Sequence, residues 1–419
     1  MKRQAIEKNT GILLIRKIIL LMCILLTTGN FSFSQQSLSN YFKGLAAIET
    51  NQLDEAKICF ENALQDGVKP SLIHTRLGEI YFDLKDFSAA LKEFIEAEKT
   101  DPTSNAYNIA RCYASLNNPA SATESIHANL KSAHPVPYFQ IQKEPAFQTL
   151  KSSLQWSQLW SQNQYSPSEA NLNEAYYLVE TRQFDDAIAL INSILEKRPK
   201  FAEAIFLRGQ AFLQLKEFAF ASEDFSTASG LKPANDAYHF QEALARTGNN
   251  QYKKAVKCIE KAIEINPYNP DYIYTKSLIL FKDDKLDEAS EGIKYYAGFF
   301  GYQEKAKLLL AKVLVEQNNL DQALEISRVL IQDKQGGDEA YFIRGMIYQL
   351  KNLYPQAIDD YGMALDINPK DPLCYLNRGN CYLQIQAPEK ACEDFNKALQ
   401  LGYKNAYLLI REYCSSTTF

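Results

Sequence analysis

The chain has 419 residues, of which 46% are hydrophobic and 23% charged, with a net charge of −5. This balance suits a folded protein with a sizeable interior and excludes a disordered polyelectrolyte, while the acidic sign argues against nucleic acid, whose phosphates need a basic surface. One ordinary core rarely grows to this length, so the chain holds either several domains or an architecture that lengthens along one axis.

The N-terminal stretch MKRQAIEKNTGILLIRK is basic, Ile18 to Leu26 is an uncharged apolar run of nine, and small residues follow at Ser32 and Ser34. That order is the pattern of a secretory signal peptide, and nine residues are too few for a comfortable membrane span. Residues 1–34 are therefore expected to export the protein to the periplasm or cell envelope, with cleavage after Ser34. A retained membrane anchor is the alternative. Cys23 follows Leu21 and Met22 rather than small residues, which argues against lipidation. Removal of 1–34 takes away five basic residues and one acidic residue, leaving −9. No later run reaches the length of a membrane helix, so the mature chain is expected to have no stable span.

From residue 37 a register takes over. An alanine recurs at Ala56, Ala90, Ala122, Ala187, Ala221, Ala255, Ala289, Ala323, Ala357 and Ala391. Twelve residues before each stands a small residue: Gly44, Gly78, Ala110, Ala175, Gly209, Ala243, Ser277, Ala311, Gly345 and Gly379. From Ala175 to Gly379 the step is 34 residues six times running. Four residues after the alanine, five units carry an aromatic ring: Phe60, Phe94, Phe225, Tyr361 and Phe395. Prolines at 102, 199, 233, 267 and 369 close units, as residues that stop a helix should.

This register resembles the tetratricopeptide repeat, whose 34-residue unit is a helical hairpin with a small residue at position 8, alanine at 20 and an aromatic or apolar residue at 24. The resemblance implies an all-α, right-handed α-solenoid of about ten hairpins. Residues 35–134 would form three repeats, and 168–419 seven repeats plus a C-terminal capping helix. Gly209, Gly345, Gly379, Ala221, Ala357 and Ala391 are then expected in the seams. The resemblance also implies a non-enzymatic scaffold that binds a protein or extended peptide along the concave faces of its first helices. Position 5 of those helices carries Tyr41, Tyr107, Phe206, Phe240, Tyr274 and Phe342. Chaperone-binding members place lysine there to hold a carboxylate; this row has none. Two readings of the rings stand side by side: packing against neighbours, or a ladder at Phe206, Phe240 and Tyr274 that grips apolar side chains. The SFSQQ ending of the leader resembles signal-peptide ends common in Bacteroidota, so a secreted bacterial protein is expected. A membrane-anchored assembly or chaperone-like factor is the alternative if the leader is retained.

Residues 135–167 break the register. Pro135 and Pro137 interrupt any helix, and Phe147, Leu150, Leu154 and Leu159 follow at near-helical spacing. An irregular helical insert is expected, with Trp156 and Trp160 turned against the repeats.

Cys112 and Cys381 fall at position 10 and Cys374 at position 3, where other repeats carry alanine or isoleucine, so these thiols read as packing residues. Cys374 and Cys381, seven apart on one helix, stand roughly 10 Å apart, too far for a disulfide or a shared zinc. Cys392 and Cys414 are placed differently, symmetrically about residue 403, so an antiparallel hairpin brings them level. A cap-closing disulfide worth about 3 kcal/mol and two buried free thiols are the two readings. The chain lacks CxxC, HExxH, GxSxG, GxGxxG and GxxxxGK[ST], so no catalytic residue, cofactor or metal is expected. Arg208, Arg344 and Arg378 each precede an aspartate by sixteen residues (Asp224, Asp360, Asp394), a spacing that predicts ion pairs across the hairpin seam.

Overall fold

The computed structural model describes residues 39–132, 135–162, 166–300 and 303–414; the leader, 1–34, lies outside them. Among the described residues every regular element is helical. Helices pair in sequence: 39–49 with Leu53–Gln65, Pro70–Asp83 with Phe87–Glu98, Ala106–Ser115 with Pro119–Leu130, Pro167–Glu180 with Phe184–Lys197, and Ala202–Gln214 with Phe218–Leu231. Then come Asp236–Gly248 and Tyr252–Ile265, followed by the pairs Pro270–Lys282 with Leu286–Phe300, Glu304–Glu316 with Leu320–Gln332, Gly337–Leu350 with Tyr354–Ile367, and Pro372–Gln384 with Pro388–Gln400. These are the ten repeats of the register.

Local chemistry explains where the helices start. Ser166 and Glu169 form a capping box ahead of Pro167, and the Asp86 side chain accepts from the Ala89 N–H. Helix ends are more uniform still. In all ten repeats position 15 is a non-glycine residue in the left-handed region, from Asn51 to Gln386, with φ between 55° and 63°. The next N–H then reaches back to the carbonyl at position 11, as in Gln52 to Ala47 (2.8 Å) and Ala387 to Tyr382 (2.9 Å). This closure satisfies a free carbonyl and reverses the chain within a few residues.

Two compact units emerge, one ending at Ala245 and the other beginning at Arg246. The division lies inside Asp236–Gly248, and the insert lies wholly within the first unit. Where each hairpin touches only its neighbours, a break in the register does not have to be a break in the core.

The seams show why position 8 is small. A methyl group added at Gly44, Gly78, Gly209, Gly345 or Gly379 would stand 2.6–2.9 Å from the ring at position 24 of the same repeat. The remaining five repeats have alanine or serine at position 8 and Ile126, Ile191, Ile259, Ile293 or Ser327 at position 24. Glycine goes with a ring, alanine or serine with something slimmer. Ala221, Ala357 and Ala391 are fully buried beside these rings. The three arginine–aspartate pairs form within repeats as two-pronged bridges: Arg208 to Asp224 at 2.8 and 2.7 Å, Arg344 to Asp360 at 2.7 and 2.6 Å, and Arg378 to Asp394 at 2.8 and 2.7 Å. The aspartates are nearly buried, which makes each pair costly to break from one side.

The insert folds as the short helix Tyr138–Lys143, a 3₁₀ turn Pro145–Ser152 and the helix Leu154–Gln162. Ile141, Phe147, Leu150, Trp156 and Leu159 join Ala110, Ala114, Ala122 and Ile126 of the third repeat in one apolar cluster, so the insert caps that repeat. At the other end, Ala406–Leu409 runs on into the wider turn Ile410–Cys414 and packs against Pro388–Gln400.

Candidate functional site

The inner row of position 5 is best taken ring by ring. Tyr41 is fully buried, its ring 5.6 Å from Phe60, and its hydroxyl accepts from Arg76 Nε at 3.2 Å. With no surface left it belongs to the seam of the first repeat and lines no groove, contrary to expectation. Tyr107 packs edge-on against Phe147 of the insert at 5.7 Å and donates from its hydroxyl to Glu144 Oε2 at 3.0 Å. Glu144 also stands 3.1 Å from Arg111 Nε, at position 9, and the Arg111 guanidinium lies 4.1 Å over the Phe82 ring. Burial, then the Glu144 charge, pushes the Tyr107 phenol well above its usual range, so it stays a donor. The chain's own carboxylate thus holds the Tyr107 hydroxyl, and the insert's Phe147 covers one edge of its ring, which is half-buried.

Phe206 is half-buried, stacked on Tyr238 at 4.3 Å and tilted against Phe225 at 5.4 Å. Phe240 is half-buried as well. In the second unit Tyr274 tilts against Tyr296 at 5.7 Å beneath the Lys305 ammonium, which lies 5.0 Å from its ring centre and 3.0 Å from Asp271 Oδ1. Phe342 rests on Tyr361 at 5.8 Å. Each of Phe206, Tyr274 and Phe342 is therefore held by at least one neighbouring ring while staying partly exposed. The packing reading describes these ring contacts, and Phe206→Ala would loosen the seam as well as any binding surface. Three acidic residues on the first helices are paired: Glu203 with Lys232, Asp271 with Lys305, and Glu339 with Lys312.

Cys392 and Cys414 are joined by a disulfide with 5.7 Å between their Cα atoms, tying the C-terminal turn to the last repeat. Cys112, Cys374 and Cys381 are buried and free. Burial pushes the Cys112 and Cys381 thiols up to about 12, which leaves almost no thiolate near neutrality. Among the described residues no group of three or more histidine, cysteine or acidic side chains could hold a metal ion.

Three features escaped sequence reasoning. The left-handed position 15 shows in sequence only as an excess of asparagine (51, 117, 250, 318 and 352). The role of Glu144 depends on how the insert folds back, which no spacing encodes. The exposed leading face of the fourth repeat, described below, needs the insert's short first helix to be known.

Paired helices on a 34-residue register, small residues in the seams and a row of rings on the first helices define a helical-repeat protein. The chain belongs to the tetratricopeptide-repeat family: models described as tetratricopeptide repeat match residues 42–105, 172–236, 338–371 and 373–401. A model of anaphase-promoting complex, cyclosome, subunit 3 matches 248–329. Among curated proteins the chain is similar to Hsp70-Hsp90 organizing protein 2 of Arabidopsis thaliana, 26% identical over 46% of this chain and 34% of that protein. It is also similar to the DnaJ homolog subfamily C member 7 homolog of Dictyostelium discoideum, 22% identical over 84% of this chain and 54% of that one. The chain thus spans about half or less of the length of these relatives. A solved structure of the APC/C hetero-tetramer Cut9-Hcn1 is 15% identical with a TM-score of 0.45, covering 88% of this chain and 94% of that one.

Proposed function

We propose that this chain is a non-enzymatic interaction scaffold, exported to the bacterial cell envelope, that binds a protein or extended peptide along the inner faces of its first helices. The observation that carries the reading is the pair of half-buried rings on the first helices of each unit: Phe206 and Phe240 in the first, Tyr274 and Phe342 in the second. Where rings are held from below by Tyr238, Tyr296 and Tyr361, they offer apolar area with little side-chain freedom left to lose on binding. The basic-then-apolar leader supports export, and the Cys392–Cys414 disulfide fits an oxidising compartment. No catalytic role is assigned to any residue.

A photo-crosslinking amino acid placed at Tyr274 or Phe342, and in parallel at Ile58 or Ile367 on second helices, tests the reading in the source cells. Discrete adducts from 274 and 342 with none from 58 and 367 are expected. Adducts confined to 58 and 367 would move the binding surface to the second helices. N-terminal sequencing of the purified protein tests export: a start at Gln35 is expected, and an intact leader would instead favour a membrane-anchored assembly factor.

A further inference from the structure

The leading face of the fourth repeat is made like an interior surface and then left open. Position 10 of the first helix is buried in every repeat that follows directly on another hairpin: Ile80, Cys112, Ala211, Val313, Ile347 and Cys381 are each 2% exposed or less, and only Ala46 of the first repeat is half-buried. In the fourth repeat the same position is Tyr177, 49% exposed. Position 3 follows suit, with Ala204 and Ala340 fully buried but Ala170 exposed. In the regular stack these positions are covered by the second helix of the preceding repeat. Here, among the described residues, only the six of Tyr138–Lys143 stand alongside, leaving a cleft of about 570 Å³ walled by Tyr138, Phe139, Asn173, Glu174 and Tyr177.

The charge at this face is specific. Glu174 occupies position 7, is exposed, and has no hydrogen bond or ion pair with any described residue. In three other repeats the polar side chain at position 7 reaches back to the preceding second helix, whereas Arg344 and Arg378 pair within their own repeats. Arg208 Nη1 donates to Asn192 Oδ1 at 2.6 Å, and Lys276 Nζ lies 2.7 Å from Glu260 Oε1. Both partners sit at position 25 of the preceding repeat. Glu242, also at position 7, accepts from the Ser229 hydroxyl at 2.9 Å. Glu174 thus stands at the position from which such side chains reach the preceding helix, and a cationic donor on a helix placed there would match its charge. Beside it Phe139 stacks on Tyr176 at 5.6 Å. The Lys143 ammonium lies 5.7 and 5.9 Å from the Phe139 and Tyr177 ring centres, so these rings already face a cation. Glu180 matches the Lys143 charge, and Glu174 stays unmatched.

We propose that this face docks an amphipathic helix of a protein partner. That helix takes the place of the missing second helix, sets a lysine or arginine against Glu174 and lays apolar side chains on Phe139 and Tyr177. The site continues the repeat-to-repeat interface and is distinct from the inner row of rings.

The test uses the full chain and a helix that the chain already stacks on this kind of face. A labelled peptide of Phe184–Lys197 carrying Asn192→Lys, at position 25, is compared by fluorescence anisotropy with the same peptide carrying Asn192→Glu. The lysine probe is expected to bind at least about tenfold more tightly, and Glu174→Arg should reverse the preference. Tyr177→Ala should weaken both probes by about tenfold, while Ile58→Ala leaves both unchanged. Glu174 and Tyr177 are exposed, so an unaltered circular dichroism spectrum is expected for both variants. The proposal falls if Glu174→Arg leaves the preference as it was, if Tyr177→Ala binds as well as the parent, or if neither probe binds at millimolar concentration. Equal binding by a proline-containing copy that cannot form a helix overturns it as well.

Discussion

Gly78→Ala tests whether glycine at position 8 is a packing requirement or an accident of composition. By helix propensity alone the change should stabilise Pro70–Asp83 by about 1 kcal/mol. The structure predicts the opposite sign. The new methyl would stand 2.6, 2.7 and 2.9 Å from three atoms of the Phe94 ring, roughly 1 Å inside ordinary carbon contact. Phe94 is fully buried among Ala90, Cys112 and the flanking Tyr81, Phe82, Leu91 and Ile109, so its ring has nowhere to swing. Overpacking of this kind costs about 1–3 kcal/mol, so against the propensity gain the net loss should be up to about 2 kcal/mol. Phe94→Ile alone leaves a void and should cost about 2 kcal/mol. The double variant recreates the alanine–isoleucine pairing of the third and fourth repeats, so its cost should be well below the sum of the singles, by about 1.5 kcal/mol or more. Hydrogen exchange of amides in 70–98 reads the local stability. Unfolding followed by Trp156 and Trp160, the only two tryptophans, reports on the insert and the third repeat it caps. Additivity within about 0.5 kcal/mol, or a stabilising Gly78→Ala, would refute the steric argument.

Arg378→Ala should cost about 3 kcal/mol, because it strands the nearly buried Asp394 carboxylate, whereas Arg378→Met with Asp394→Leu should recover much of that loss in a urea titration. Lys216→Gly should stabilise by about 0.5–1 kcal/mol, since Lys216 is exposed and held at φ 62°, a conformation that glycine adopts without steric cost; a lower melting temperature would contradict this. Cys414→Ser should release residues 406–414, with amide protection there falling by the equivalent of about 3 kcal/mol while repeats away from the cap are unchanged. Mass spectrometry after brief alkylation of the native protein near neutral pH should find Cys59 modified and Cys112, Cys374 and Cys381 untouched until denaturant is added.

What could be read from the sequence was whatever repeats. The register located every helix pair because small and apolar residues must recur wherever two helices touch, and sixteen-residue spacing put Arg208, Arg344 and Arg378 opposite their aspartates because a hairpin folds the chain back at a fixed distance. Symmetry about residue 403 brought Cys392 level with Cys414 by the same logic. The site was less legible. A ring at position 5 reads alike in sequence whether it is sealed like Tyr41, partly covered by the insert like Tyr107 or half-open like Phe342, since the difference lies in what a distant segment lays on it. Glu144 and Glu174 carry no motif. Their meaning comes from an insert that covers one repeat and leaves the next uncovered.

The matched choice at positions 8 and 24 also constrains how such a gene can be rearranged. Repeats one, two, five, nine and ten carry glycine with a ring, and the other five carry alanine or serine with a slimmer partner. Both halves of each match lie sixteen residues apart within one unit. Recombination between whole units keeps every match intact wherever it falls. A crossover in the short turn between the two helices, when it joins a glycine–ring unit to one of the other kind, leaves one hybrid with a clash and its reciprocal with a hole. Duplication and loss of whole repeats is therefore open to this lineage, while shuffling at the scale of single helices is selected against by volume alone.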